Sequence, residues 1–153
     1  MDGLIIREAR EADIAAIAAM FAADDVGGHG DTTDEAAMPD YLAAFRAIAM
    51  STLETLYVAE FEGEVIGTFQ TVILTKLAGR GAVWMVVEGV QTREDMRGRG
   101  IGATMIRYCI AEAEKRGLSG VQLTSNMARI DAHRFYEKLG FEKRHFGFRL
   151  KLK

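Results

Sequence analysis

Seven consecutive residues, Arg97-Gly98-Arg99-Gly100-Ile101-Gly102-Ala103, carry the strongest chemical signal in the chain. They follow a strand-like run that ends near Thr92 and precede a helical run that begins near Gly100. Glycine has no Cβ, so such a run turns tightly and brings backbone N–H groups close to a bound group. The first N–H groups of a helix have no intrahelical partners and favour an anion. The guanidinium groups of Arg97 and Arg99 add diffuse positive charge suited to phosphate oxygens. A pyrophosphate cradle is the economical reading, and on the run alone a solvated turn before a helix is an equal alternative. No Gly-Lys-Ser/Thr occurs, so the run is not a P-loop. Gly98, Gly100 and Ala103 fit a relaxed dinucleotide fingerprint, but residues 118–124 lack the acidic residue that fingerprint requires.

A few other side chains have types suited to chemistry. Glu88 interrupts the apolar run 83–90, where a carboxylate is costly without a partner or a task. Strand parity predicts that it shares a face with Trp84, Val86 and Val90. A rim carboxylate paired with an arginine is the competing interpretation. His29, in Gly-Gly-His-Gly, and His133 have the chemistry of a proton shuttle near neutral pH, although lone histidines more often serve structure. With His145 they lack metal-ligand spacing, so no metal is expected. Cys109 falls on an apolar helix face and reads as core rather than as an acyl-carrying nucleophile.

The elements that must position these groups are legible in the periodicity. Residues 4–7 read as a short strand, and Asp13 opens a helix with Ile14, Ile17, Ala18 and Phe21 on one face. Residues 24–40 are irregular and contain the only proline, Pro39. Helical spacing returns with Tyr41, Leu42, Phe45, Ile48 and Ala49, and Met20, Phe21, Met38 and Phe45 are expected to fill core. Strand-like runs follow at 55–61, 65–76 and 82–92, the first two joined by Glu62-Gly63-Glu64 as a hairpin. The helix after the glycine run presents Met105, Ile106, Cys109, Ile110 and Ala113 on one face and ends near Gly117. Residues 121–124 form a strand, 130–139 a helix, and 141–152 alternate like a closing strand. The order βααβββαβαβ predicts an α/β (α+β) fold with a central mixed sheet flanked by helices.

With 153 residues, the chain suits one domain spanning 1–153. Its 49% hydrophobic and 27% charged content is that of a globular protein. No apolar run approaches the ~20 residues that span a bilayer, so no membrane association is expected. The first residues show no basic segment with a long apolar core, and one cysteine rules out an internal disulfide, so the expected location is cytoplasmic. A net charge of −3 argues against a nucleic-acid partner.

At this point the chain resembles the GNAT superfamily of acyl-CoA-dependent N-acyltransferases. Their Gln/Arg-x-x-Gly-x-Gly/Ala signature is matched by Arg97, Gly100 and Gly102. Ala132-His133-Arg134-Phe135-Tyr136-Glu137-Lys138-Leu139-Gly140-Phe141 is similar to their Tyr-x-x-x-Gly-Phe tail, and the two marks are separated by one helix and one strand. Ile6-Arg7-Glu8-Ala9, followed by Asp13 and Ile17, matches their opening, so the resemblance covers essentially the whole chain. It departs in two places: Thr92 and Glu94 stand where many relatives have Val-x-Pro, and Arg129 stands where an asparagine often precedes the tyrosine by seven residues.

The resemblance implies a mostly antiparallel, splayed sheet whose strands 83–92 and 121–125 part to admit the pantetheine arm of acetyl-CoA. It further implies that Val90, Gln91 and Thr92 hold the arm, while Arg97, Gly98, Arg99, Gly100, Ile101, Gly102 and Ala103 hold the pyrophosphate. Asn126 and Arg129 are further cofactor contacts, and a homodimer is implied.

Acyl transfer to an amine requires the neutral nucleophile. A lysine-like ammonium is uncharged only about once in 2,500 at pH 7, a deficit of roughly 4.6 kcal/mol, so a base is useful. Glu88 is the candidate base and Tyr136, matched to the family, the candidate acid for the departing thiolate. Attack would be direct, in a ternary complex. Asp24, Asp25, Asp31, Asp34, Glu35 and Asp40, with no lysine or arginine among residues 24–40, suit a small cationic amine, with a solvated acidic loop weighed equally. The alternatives are a protein lysine or N-terminal acetyltransferase and a non-catalytic acyl-CoA-binding regulatory domain.

Overall fold

A computed structural model describes residues 1–26 and 30–153; His29 lies outside the described residues. The elements run β1 (Ile5–Glu8), α1 (Ile14–Ala22), α2 (Met38–Met50), β2 (Glu54–Phe61), β3 (Glu64–Thr75), the single kinked turn α3 (Ala78–Gly81), β4 (Val83–Thr92), α4 (Ile101–Lys115), β5 (Gly120–Leu123) and α5 (Ile130–Lys138). The strands lie side by side in chain order. Pairings β1–β2, β2–β3 and β3–β4 are antiparallel, and β4–β5 is parallel. Sequence expectation and structure agree on this mixed, mostly antiparallel sheet.

Local chemistry explains the order. Glu62 and Gly63 both take positive φ, 51° and 80°, which is the two-residue turn whose twist matches a hairpin. The parallel partner β5 cannot follow β4 through a short turn, so α4 makes the crossover. On one face of the sheet Ile14, Ile17 and Met20 of α1 bury against Val58, with Phe21, Met38, Tyr41 and Phe45 packed around them. On the other face Ile101, Met105, Ile106, Cys109 and Ala113 of α4 bury against Tyr57, Phe69, Met85 and Val87. The side chains of α5 that join this second core are Phe135 and Tyr136. Asp13, only 7% exposed, accepts hydrogen bonds from Arg7 at 2.7 Å and 3.0 Å and from the Arg10 N–H at 2.7 Å. Arg7 also bonds Glu60 at 2.7 Å, so one cluster ties β1 and β2 to the start of α1.

The chain end differs from expectation. Residues 141–153 form no strand, and Phe146, Phe148, Leu150 and Leu152 are exposed. Alternation gives a strand only when an edge receives it, and within this subunit the segment makes no ladder.

Candidate active site

The pairing between β4 and β5 stops early. Trp84 to Val87 pair with Gly120 to Leu123, but β4 runs on to Thr92 while β5 ends. Beyond Val87 the side of β4 that faced β5 therefore carries backbone groups with no strand beside them. The pairing therefore leaves a gap between residues Glu88 to Thr92 and the loop leading to α5.

Within β4 a bulge lies opposite Thr68 and Gln70, and Gly89 takes φ 60°. The extra residue breaks strand parity. Glu88 pairs with Gln70, whereas Val90 packs into the core with Met85 and Val87. The expectation that Glu88 and Val90 share a face is thus corrected by the bulge. The premise of a costly carboxylate is also corrected, because Glu88 is exposed and suffers little desolvation. Gln70 and Gly89 line a cavity of about 170 Å³ between the sheet and α1 and α2, with Phe21, Tyr41 and Phe45 among its walls. The Tyr41 hydroxyl donates to Asp31 at 2.8 Å, which holds a carboxylate near that cavity.

At the other end of the gap lies the glycine run. Gly98 and Gly100 adopt φ 76° and 80°, in the left-handed region that side chains avoid. Space around both is open, with no heavy atom within 4 Å of an added Cβ. The first bond of α4 runs from the Thr104 N–H to the Gly100 carbonyl at 3.0 Å, so the amides of Ile101, Gly102 and Ala103 precede the helical ladder. Arg97 donates to the Thr92 carbonyl at 3.3 Å, and Arg97 and Arg99 are both exposed at the mouth. Open space, unladdered amides and two guanidinium groups fit a diphosphate. A groove of about 420 Å³ runs from this loop to the end of α1, lined by Met20, Ala23, Thr92 and Arg97 among others.

Arg129, the residue in place of the expected asparagine, reaches Asp24 at the end of α1 with its Nη2 2.5 Å and 2.6 Å from the two carboxylate oxygens. Gln91 on β4 donates to the same carboxylate at 2.7 Å. Burial works to raise the Asp24 pKa, but the Arg129 hydrogen bond and charge, with Gln91, hold it below the usual carboxylate range. Asp24 therefore joins α1, β4 and the start of α5 rather than standing open to a substrate. Sequence reading placed Asp24 in an acidic cluster and missed this role, because its partner is 105 positions away. The one available signal was that the departure at Arg129 brings a cation into the same site.

Tyr136 sits on α5 against Phe135 and Phe141, with ring centroids 5.0 Å and 5.8 Å away. Burial raises its pKa, offset in part by the Arg129 charge, so the phenol stays protonated at neutral pH. Tyr136 belongs to the α4 side of the sheet and Glu88 to the α1 side, so the gap separates them. The Asn126 side-chain oxygen accepts from the Ala128 N–H at 2.9 Å, and its carbonyl lies 2.9 Å from His133 Nε2. His133 thus braces the loop before α5. Cys109 is fully buried in the core, and burial pushes its thiol up to about 12, which suits packing rather than acyl transfer.

A parallel pair that parts beside a glycine-rich helix start, in a mixed sheet with helices on both faces, defines the class of α/β fold to which the chain belongs. The chain belongs to the acetyltransferase (GNAT) family, whose model matches residues 14–141. A Bacillus halodurans protein described as a transcriptional regulator superposes with a TM-score of 0.93 at 34% identity, covering 97% of this chain and 99% of that one. A predicted acetyltransferase of Clostridium acetobutylicum, crystallised with acetyl-CoA, shares the fold with a TM-score of 0.72 at 17% identity, covering 97% of this chain and 96% of that one. Over 53 residues the chain is 40% identical to the aminoalkylphosphonate N-acetyltransferase of Salmonella typhimurium, a match spanning 35% of this chain and 34% of that protein. Among the described residues, no helix is long and apolar enough to cross a membrane.

Proposed function

We propose that the protein transfers an acetyl group from acetyl-CoA to a small primary amine. The observation that carries this reading is the set of unladdered amides at Ile101, Gly102 and Ala103, opening beside the unpaired end of β4. Acetyl-CoA supplies an activated acyl group when bound. The amides of residues 98–103, with Arg97 and Arg99, hold the diphosphate, and the backbone of Val90, Gln91 and Thr92, on the side of β4 without a strand beside it, binds and aligns the arm. A backbone N–H aimed into the gap also favours negative charge at a reacting carbonyl oxygen. Asn126 and Arg129 lie on the opposite lip, where Arg129 braces Gln91 through Asp24.

The amine enters from the α1 side, where Glu88 takes its proton directly or through a water. Tyr136, on the far side of the gap, donates to the departing sulfur. The 170 Å³ cavity beside Gln70 and Gly89 admits only a small acceptor, and Asp31 at Tyr41 favours a cationic one. The amine named for the Salmonella relative is likewise a small molecule.

A second reading, a domain that binds acyl-CoA without turning it over, is favoured by the regulatory description of the Bacillus halodurans structure. Thiol release from acetyl-CoA across a panel of primary amines separates the two. Free thiol produced with an amine, with the acetylated amine in the products, supports the enzyme. Acetyl-CoA binding without thiol release for any amine supports the silent domain, and no binding at all contradicts both.

A further inference from the structure

The cavity of about 170 Å³ between the sheet and the helices α1 and α2 has a wall built largely by Ile14, Ile17, Phe21, Phe45, Ile48 and Leu56. Tyr41 and Gln70 are the polar side chains there, and among the described residues none that lines it is charged. The Tyr41 hydroxyl is already engaged, donating to Asp31 at 2.8 Å and accepting from the Thr32 N–H at 3.1 Å. What Tyr41 offers the cavity is its ring. A space this apolar holds water poorly, and an apolar cavity of about 150 Å³ takes up a single benzene ring.

The rim has the opposite character. Glu88 pairs across the sheet with Gln70 and is exposed, and Asp31 is held beside the cavity by Tyr41. Gly89 forms one wall, in the stretch of β4 beyond its pairing with β5. A Cβ there would lie 3.4 Å from the Phe21 ring, so a side chain at this position would narrow the way between cavity and strand. The cavity thus abuts the part of β4 along which the thioester is placed.

Resting on the acetyl transfer proposed above, the geometry points to an acceptor with two unlike ends, a primary amine joined by a short chain to one aromatic or similar-sized apolar ring. The ring fills the apolar space, and the nitrogen stays at the rim, where Glu88 and Asp31 favour its positive charge. A bond forms from that nitrogen to the acetyl carbon as the carbon–sulfur bond breaks. The amine proton passes to Glu88, and the sulfur takes a proton from Tyr136. An amine that also carries a phosphonate meets no cation in the cavity and two carboxylates at its rim. Such acceptors are disfavoured here, in contrast to the amine named for the Salmonella relative.

Thiol release from acetyl-CoA with 2-phenylethylamine, ethylamine and 2-aminoethylphosphonate tests this acceptor. The ring-bearing amine is expected to give a kcat/KM at least about tenfold above either of the others. Ala44 is an exposed residue of α2 that lines the cavity. Ala44→Phe occupies the space of the ring and should erase most of that preference, with helical circular dichroism unchanged. Phe45→Leu opens room while keeping the wall apolar, and should move the preference toward the two-ring amine tryptamine. Thiol release without preference for the ring, or a preference untouched by both variants, would overturn this acceptor and leave acetyl transfer standing. No thiol release with any amine would overturn the transfer itself, and the acceptor with it.

Discussion

In the proposed mechanism Tyr136 and Glu88 divide the proton traffic, and each role can be tested alone. Replacing Tyr136 with phenylalanine keeps the ring contacts with Phe135 and Phe141 and removes only the hydroxyl. The turnover number is expected to fall roughly 10²-fold with acetyl-CoA affinity unchanged, as steady-state kinetics and calorimetry would show. Unchanged turnover would remove Tyr136 as the acid. Glu88→Gln should remove the ascending acidic limb of the pH–rate profile, because a base must be ionised to accept a proton; a profile of the same shape would mean that another base operates. Arg129→Leu leaves Asp24 with Gln91 as its remaining side-chain partner and should cost about 2 kcal/mol of stability, measured by urea unfolding. Arg129→Lys should recover part of that loss, since a cation returns without the guanidinium fork.

The element with most leverage is α4. Gly100 caps it at φ 80°, a conformation that costs an L-residue about 1–2 kcal/mol. Gly100→Ala should lower the melting temperature by a few degrees and weaken CoA binding about tenfold, because the strained cap turns the following amides away from the diphosphate. Arg97→Glu should weaken CoA binding through like charge while leaving the melting temperature of the free protein unchanged; equal CoA affinity would refute its placement. The glycine run, the apolar face of α4 and the hairpin at Glu62 and Gly63 were legible in the sequence because each is specified by neighbouring residues. The bulge at Gly89 was not, because an isolated glycine in a strand does not say whether it inserts a residue. Its consequence is local: it turns Val90 into the core and leaves Glu88 facing the cavity side. Likewise the Asp24–Arg129–Gln91 cluster joins three elements that only the completed sheet brings together.

At the scale of the molecule, the two depressed carboxylates that are partly buried, Asp13 and Asp24, contribute to the acid response. The Arg7 hydrogen bond, opposed by burial and aided by the Arg10 N–H, holds the Asp13 pKa below its ordinary value, and Asp24 is lowered as well. A carboxylate whose folded pKa lies below its unfolded one stabilises the fold above the unfolded value, and that stabilisation is lost as pH falls through the folded one. Stability in urea should therefore change little from these groups between pH 7 and about 5, then drop below about pH 4. Asp13→Asn should flatten that drop. The alternating chain end reads as a strand by pattern, yet residues 141–153 form none, because alternation alone does not supply an edge to pair with. The whole arrangement turns on whether the start of α4 holds a diphosphate beside the open end of β4. A crystal structure of the protein with coenzyme A decides it: diphosphate oxygens within about 2.7–3.2 Å of the amides of Ile101, Gly102 and Ala103 are the predicted result. A diphosphate bound elsewhere, with those amides facing solvent, would contradict it.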